Sequence, residues 1–341
     1  MKKKVAIMGA TGLVGQRFVS LLENHPFFEV TSLYASKRSE GKRYKDAVYW
    51  ILETDIPEYA KDIVLKSFED LPQVEESIVF SALPSDVAYT LEVELAENGH
   101  FVFSNASSHR YDKFVPILIP EVNPDHIEAV KFQGTKGFII TNANCSTTGL
   151  VIPLKALSRR FRISDLFVVT MQAISGAGIH GLSALEIHGN ILPYIEKEEE
   201  KIEIETKKIL GTFENEFKDS DIDIFARTNR VPVREGHTEV VFLKVEAYLR
   251  EIIQAFRDFK GLPQELKLPT APEKPIIVFE DTLRPQPTLD LNNGKGMSVS
   301  VGRIRLKGDV LTFTILSHNT IRGAAGGSIL NAEFAFAKGL I

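Results

Sequence analysis

Val5-Ala6-Ile7-Met8-Gly9-Ala10-Thr11-Gly12-Leu13-Val14-Gly15 is the stretch on which the reading of the fold turns. Four apolar residues make a short buried strand. Glycines at every third position then make a tight turn, and Gln16 to Asn24 carries apolar residues at helical spacing. A strand, a glycine turn and a helix in that order begin a βαβ unit. Glycine lets the backbone approach a pyrophosphate, and the helix N-terminus offers unpaired N–H groups and partial positive charge to the anion. The spacing is G-x-x-G-x-x-G rather than the commoner G-x-G-x-x-G. The strand–turn–helix context favours a nucleotide site over a plain strand–helix turn.

Working outward, strand and helix patterns keep alternating. Phe28–Ala35, Ser77–Leu83, Phe101–Ser104 and Gly137–Thr141 read as strands, and Ala88–Asn98 reads as a helix stopped by Gly99. This predicts a mainly parallel, Rossmann-type sheet over residues 1–143. The Ala-rich helix within 321–341 is expected to pack back on that domain. The pattern changes after Cys145. A helix is predicted over Thr147–Phe161, where Pro153 implies a kink or a later start. Further helices are expected at Gly181–Leu192, Glu198–Leu210 and Ala247–Phe259. Strands are expected at Asp165–Ala173, Ile222–Pro232, His237–Val245, Ile276–Glu280, Met297–Leu306 and Val310–Leu316, the last two joined by the turn Lys307-Gly308-Asp309. Residues 144–320 therefore read as an α+β domain with a mixed sheet, and the whole chain as α/β.

Composition narrows the function. At ~150 residues per domain, 341 residues suit two domains. With 44% hydrophobic and 25% charged residues, the chain has enough apolar material to fold. A net charge of −5 argues against a general binder of nucleic acid or anionic membrane. No apolar run is long enough to span a bilayer. The basic start Met1-Lys2-Lys3-Lys4 resembles a signal peptide, but its apolar stretch breaks at once into the glycine turn. The single cysteine excludes an internal disulfide and any Cys-rich metal cluster, and no metal site is expected. A reducing, cytoplasmic setting fits best.

The second strand chooses the nucleotide. An NAD site usually places a carboxylate ~20 residues on, for the ribose 2′-OH. Here that place holds Ser36-Lys37-Arg38-Ser39, two cations and two hydroxyls that suit a 2′-phosphate. The reading is NADP, with a basic surface loop as the competing one.

Cys145 stands where a strand meets a helix, in Asn142-Ala143-Asn144-Cys145-Ser146-Thr147-Thr148. A helix N-terminus stabilises a thiolate, and nearby N–H groups can cradle an oxyanion. The other reading of a lone cysteine is a small buried hydrophobe. Its small polar neighbours favour the nucleophile. His237 begins a strand in Arg230-Val231-Pro232-Val233-Arg234-Glu235-Gly236-His237 and has the most suggestive surroundings of the eight histidines. On its own a histidine is more often structural.

These residues belong to a wider pattern. Gly9 through Gly15, Ser81-Ala82-Leu83-Pro84, Ser104-Asn105-Ala106-Ser107, Asn144-Cys145-Ser146-Thr147, Gln172 through Gly178, Arg230 through His237 and His318 through Ala325 occur in order along nearly the whole chain. So arranged, the chain resembles the aspartate-β-semialdehyde dehydrogenases of the archaeal and fungal branch. The resemblance implies that Cys145 is the nucleophile, His237 the general base and Gln172 the residue that positions the acyl-enzyme. It implies that Arg230 clamps the substrate α-carboxylate and Asn144 orients the substrate. Glu198 and Lys201 match the pair that holds the amino group and the incoming phosphate, and Arg110 matches a second phosphate ligand. Gly9, Thr11, Gly12, Leu13, Val14, Ser36, Arg38, Ser39 and Ser81 match the NADP site, with Ser175, Gly176 and Asn319 towards the nicotinamide.

Physical argument supports these roles unequally. Arg is the natural bidentate partner of a carboxylate. Glu198 and Lys201 lie three apart on a helix, so both can face one cleft. Without the resemblance, the run Glu196-Lys197-Glu198-Glu199-Glu200-Lys201 reads as solvated surface. The implied activity is NADPH-dependent, reversible reduction of β-aspartyl phosphate to aspartate β-semialdehyde and phosphate through a cysteine thioester. It would serve synthesis of lysine, threonine, methionine and isoleucine in a homodimer or tetramer. The rivals are a malonyl-CoA reductase, an N-acetyl-glutamyl-phosphate reductase and a non-catalytic NADP sensor. Neither malonate nor a blocked amine needs Glu198, and a sensor has little reason to keep Cys145, His237 and Arg230 together.

Overall fold

A computed structural model describes residues 2–69 and 73–341. The chain divides into two compact units. The first comprises Met1–Leu118, His126–Asn142 and Ala324–Ile341; the second comprises Ile119–Asp125 and Ala143–Gly323.

The first unit holds six strands: β1 (Lys3–Met8), β2 (Phe28–Ala35), β3 (Lys66–Ser67), β4 (Ile78–Ser81), β5 (Phe101–Ser104) and β6 (Phe138–Thr141). All are parallel, in the order β3-β2-β1-β4-β5-β6. The chain leaves β1 to build one side of the sheet and returns to β4 on the other. The turn after β1 therefore stands at the point where strand order reverses, the usual ligand crevice of such sheets. β4 and β6 are buried along their whole length because helices cover both faces of a parallel sheet. Helix α1 (Leu13–Leu21) stacks Phe18 on Phe80 of β4 at 5.0 Å between ring centres, and α2 (Ser85–Glu97) follows β4. The last helix, Gly326–Ala337, also belongs here. Its Glu333 accepts a bond from His25 at 2.8 Å, both buried, and its Asn331 donates to the Leu118 carbonyl at 3.1 Å.

The second unit begins with α3 (Cys145–Ser158), which runs unbroken through Pro153. The later start that Pro153 suggested does not occur: the helix forfeits one backbone bond there and is held by its almost wholly buried surface. Strand β7 (Ile163–Gln172) follows, then α4 (Glu198–Leu210), a small hairpin of β8 (Thr212–Phe213) and β9 (Phe217–Lys218), β10 (Ile224–Arg230) and β11 (His237–Val245). Helix α5 (Leu249–Asp258), β12 (Ile276–Val278), β13 (Val299–Lys307) and β14 (Val310–Ser317) complete it. The sheet runs β10-β7-β11-β14-β13-β12; β10/β7 and β12/β13 are parallel pairs and the rest antiparallel. Its inner face is buried. The outer face leaves Phe167, Phe225 and Phe242 exposed, with Phe167 and Phe225 stacked at 5.0 Å.

Two further details differ from expectation. Residues 119–125 go with the second unit because Glu121 is buried there, paired through both oxygens with Arg322 at 2.9 and 2.8 Å. The helix expected over Gly181–Leu192 shrinks to one turn, Ala184–Ile187. Leu185 faces outward, and the chain beyond Gly189 turns away so that Leu192 can bridge Arg230.

Candidate active site

The second unit's site is built by strand alternation. Side chains two apart on a strand share a face. Register pairs Arg230 with Gln172, sets Gln172 beside His237, and pairs His237 with Ser317. The inner face thus ends in a polar row of Arg230, Gln172, His237 and Ser317. Thr228, Thr170, Glu239 and Ile315 form the row beneath it.

Cys145 is the first residue of α3 and meets this row. Its Sγ lies 3.1 Å from His237 Nε2. Asn144 caps the helix, accepting from the backbone N–H groups of Ser146 and Thr147 at 3.0 and 3.4 Å. Its side-chain amide donates to Glu198 at 2.6 Å, and Lys201 donates to the other Glu198 oxygen at 2.8 Å. Glu198 is therefore no surface residue. It occupies a buried stripe of α4 with Ile202, Glu205 and Ile209, and Lys201 joins it at the stripe's edge. Glu205 accepts from the Asn144 backbone N–H at 2.6 Å, fixing the turn that presents Cys145. Sequence reasoning passed over Glu205. The signal was its spacing: 198, 202, 205 and 209 mark one helix face.

Two glycines leave the thiol its room. A Cβ on Gly323 would lie 2.7 Å from that of Cys145, and one on Gly176 would lie 2.6 Å from Arg230 Nη1. The buried Glu121–Arg322 pair anchors the residue next to Gly323. Arg230 donates to the Ala173 carbonyl at 2.8 Å. Asn319 joins the loops, accepting from Gly236 N–H at 2.9 Å and donating to Ser175 Oγ at 2.8 Å.

Charges are arranged around a neutral imidazole. Complete burial, then Arg230, then His318 push the His237 pKa down to about 3. Burial also lowers Arg230, opposed by the neighbouring Cys145 and Glu198. Glu239 has no exposure, and among the described residues neither carboxyl oxygen has a hydrogen-bond partner. Desolvation alone raises its pKa well above the ordinary carboxylate value.

In the first unit, the residues expected to hold the nucleotide sit at or beyond the carboxyl ends of β1, β2 and β4. Gly9 has φ of +78°, and a Cβ there would lie 2.6 Å from the Ala82 carbonyl oxygen. Gly12 N–H bonds to Gly9 O at 3.1 Å and caps α1 with no side chain, so the N–H groups of that first turn point out unblocked. This cradle fits a dinucleotide phosphate. Thr11, Leu13 and Val14 complete the turn, Ser36 leads into a short 3₁₀ turn of Lys37–Ser39 that carries Arg38, and Ser81 ends β4. Glu69 adds a carboxylate that residues 36–39 lack, accepting from the Lys37 N–H at 2.9 Å. Arg110 follows β5 and donates to the Asn105 carbonyl at 3.1 Å.

Comparison with known proteins bears on both units. Residues 4–130 match the family model described as semialdehyde dehydrogenase, NAD binding domain, and residues 154–322 match its dimerisation domain. An aspartate-semialdehyde dehydrogenase of Archaeoglobus fulgidus is 46% identical, with all of both chains covered. One from Schizosaccharomyces pombe is 44% identical over 99% of each. The crystal structure of the Candida albicans aspartate semialdehyde dehydrogenase with NADP superposes with a TM-score of 0.91 at 42% identity, covering both chains completely. That of the Vibrio cholerae enzyme II complexed with ASA gives 0.81 at 26%, covering 99% of each.

Proposed function

The chain belongs to the aspartate-semialdehyde dehydrogenase family, and on that basis we propose that it reduces β-aspartyl phosphate to aspartate β-semialdehyde and phosphate, reversibly and with NADPH, through a thioester on Cys145. The observation that carries the reading is the 3.1 Å contact of Cys145 Sγ with His237 Nε2, on a sheet face that also carries Arg230 and Gln172.

Arg230 takes the substrate's α-carboxylate through its planar fork. Glu198 takes the α-ammonium group, exchanging its bonds to Asn144 and Lys201 for the ligand's. The need for an ammonium partner favours an aspartyl substrate over malonyl-CoA. The Cys145 thiolate attacks the acyl carbon; the C–S bond forms, the C–O bond to phosphate breaks and phosphate leaves with the electron pair. Lys201 neutralises that phosphate. Arg110 is the second phosphate ligand, by resemblance to the family. Gln172 orients the acyl group.

Gly9, Thr11–Val14, Ser36, Arg38, Ser39 and Ser81, with Ser175, Gly176 and Asn319, would hold NADPH, which would supply the hydride that reduces the acyl carbon. The carbon–sulfur bond then breaks, and the thiolate returns to its place beside His237. A nucleophilic free thiol suits a reducing compartment such as the cytoplasm. The outer aromatic face of the second unit's sheet supports assembly as a homodimer or tetramer. The product would feed lysine, threonine, methionine and isoleucine synthesis.

The test is spectrophotometric. Aspartate semialdehyde, phosphate and NADP should yield NADPH, malonyl-CoA with NADPH should not react, and Cys145→Ser should abolish turnover while NADPH still binds. Turnover retained in Cys145→Ser overturns the reading.

A further inference from the structure

We propose that Gln16 and Tyr44 are positioning residues of the cofactor site: from beneath the glycine turn they take the carbonyl oxygens of Thr11 and Ala10, and so keep the turn's N–H groups outward for the pyrophosphate of NADPH. The inference rests on the reading above that the turn at 9–15 holds that cofactor.

A turn that binds an anion has to dispose of its own carbonyls. Each carbonyl oxygen is the negative end of a peptide dipole, and in a trans peptide it points opposite to the N–H that follows. Turning the oxygens inward therefore turns donors outward. The backbone does this unaided for two carbonyls. Gly9 O accepts from the Gly12 N–H at 3.1 Å, and Gly12 O accepts from the Gln16 N–H at 2.8 Å as α1 begins. The Gly9 and Ala10 N–H groups are engaged by the Tyr34 carbonyl at 3.0 and 2.9 Å. Side chains take the two carbonyls between. Tyr44 donates its hydroxyl to Ala10 O at 2.9 Å, and Gln16 donates from Nε2 to Thr11 O at 3.1 Å. Neither side chain has any exposure.

Gln16 is held in one orientation. Its Nε2 also donates to the Tyr49 carbonyl at 2.9 Å, and its Oε1 accepts from the Ile51 N–H at 3.0 Å. With two carbonyls on one side and an N–H on the other, the amide cannot flip, and both of its hydrogens are used. Tyr44 is set by its own N–H, which bonds to Ile63 O at 2.9 Å, and by the Trp50 ring, edge-on at 6.4 Å. The segment between β2 and β3 is thus tied to the turn through both residues. Without the Tyr44 hydroxyl, the peptide between Ala10 and Thr11 would satisfy its carbonyl by rotating it to solvent, where the phosphate belongs. The Thr11 N–H would then be lost to the site.

Tyr59 supplies the control. It lies on the same segment, but its hydroxyl donates at 2.7 Å to the carbonyl of Val19, in the body of α1 and away from the turn. Wild type, Tyr44→Phe, Gln16→Met and Tyr59→Phe are compared by titration calorimetry with NADPH and with NADH, and by thermal denaturation without cofactor. Tyr44→Phe should raise the Kd about fivefold, the effect of one hydrogen bond, and equally for both cofactors because the pyrophosphate is common to them. Gln16→Met should raise it at least as much. Tyr59→Phe should lower Tm about as far as Tyr44→Phe does and keep the wild-type Kd. A wild-type Kd in Tyr44→Phe overturns the proposal, and so does an equal rise in Tyr59→Phe. A rise confined to NADPH would place the effect at the 2′-phosphate and overturn it too. If Gln16→Met does not fold, Tyr44→Phe decides alone, since it loses one oxygen and keeps its ring. Wild type that binds neither cofactor would defeat the cofactor reading instead, so the two fail on different data.

Discussion

Glu239→Gln should change how stability depends on pH, over and above any fixed offset that the substitution introduces. In the folded chain the carboxyl is fully buried with no hydrogen-bond partner among the described residues, and desolvation favours its protonated form. In the unfolded chain it ionises at the ordinary value near ~4.3. The sign follows from proton counts: above that value the unfolded state binds fewer protons than the folded one. Stability is then lost as pH rises, by ~1.4 kcal/mol per pH unit while the folded carboxyl remains neutral. Gln is neutral at every pH and removes the slope. Its amide brings a different set of hydrogen bonds, but that adds a constant offset. The quantity to read is therefore the difference in Tm between variant and wild type at pH 5, 5.5, 6 and 6.5. It should move in the variant's favour by roughly 3–6 °C per pH unit, taking ~2–4 °C per kcal/mol for a unit of this size. His237 acts in the opposite direction, since its pKa is held down to about 3 and stability is lost as pH falls from its unfolded value towards that. Both proteins keep His237, so its contribution cancels in the difference. A difference that stays flat from pH 5 to 6.5 would mean that the folded Glu239 is ionised, and the reasoning from burial would be refuted.

Two other substitutions probe the two units. Arg38→Ala should raise the KM for NADPH severalfold and leave that for NADH nearly unchanged, if its charge serves a 2′-phosphate; equal effects on both cofactors count against that role. Glu205→Ala leaves the Asn144 N–H without its 2.6 Å partner and should cost ~1–3 kcal/mol in denaturation, with a lower kcat. Glu205→Gln, which keeps an acceptor, should recover most of both, and an Ala variant with wild-type kcat would show that Glu205 does not hold the nucleophile's turn.

What could be read from the sequence is what local chemistry specifies. The glycine turn at 9–15 is legible because close backbone approach needs glycine wherever it occurs. That a helix opens beside Cys145 is legible from the small polar residues that follow a strand there, although apolar spacing places its start at Thr147, two residues late. His237 is legible as the start of a strand, whereas the strand pattern runs on to Pro232 and hides that Arg230 ends β10. The remainder depends on partners far along the chain. Segment 119–125 joins the second unit through an ion pair spanning 201 residues. Glu198 looks solvated among Glu199, Glu200 and Lys201 until one knows which side of α4 faces α3. Glu239 sits in an ordinary strand pattern, and nothing in Thr238-Glu239-Val240 says that its inward neighbours offer it no hydrogen bond. Local charge-rich runs mislead where a single member turns inward, and apolar spacing overstates the Gly181–Leu192 helix because it says nothing about what is there to bury it.

The first unit's composition has a consequence for how the protein is made. Its sheet is complete by Thr141, but the helix that carries Glu333 to His25 and Asn331 to Leu118 is Gly326–Ala337. Every residue of the second unit from Ala143 to Gly323 must leave the ribosome before that helix does. The nascent first unit therefore waits with His25 unpaired and one flank of its sheet bare, while the second unit has all of its own residues in hand earlier. The glycine turn at 9–15 is made well before the helix that completes its unit.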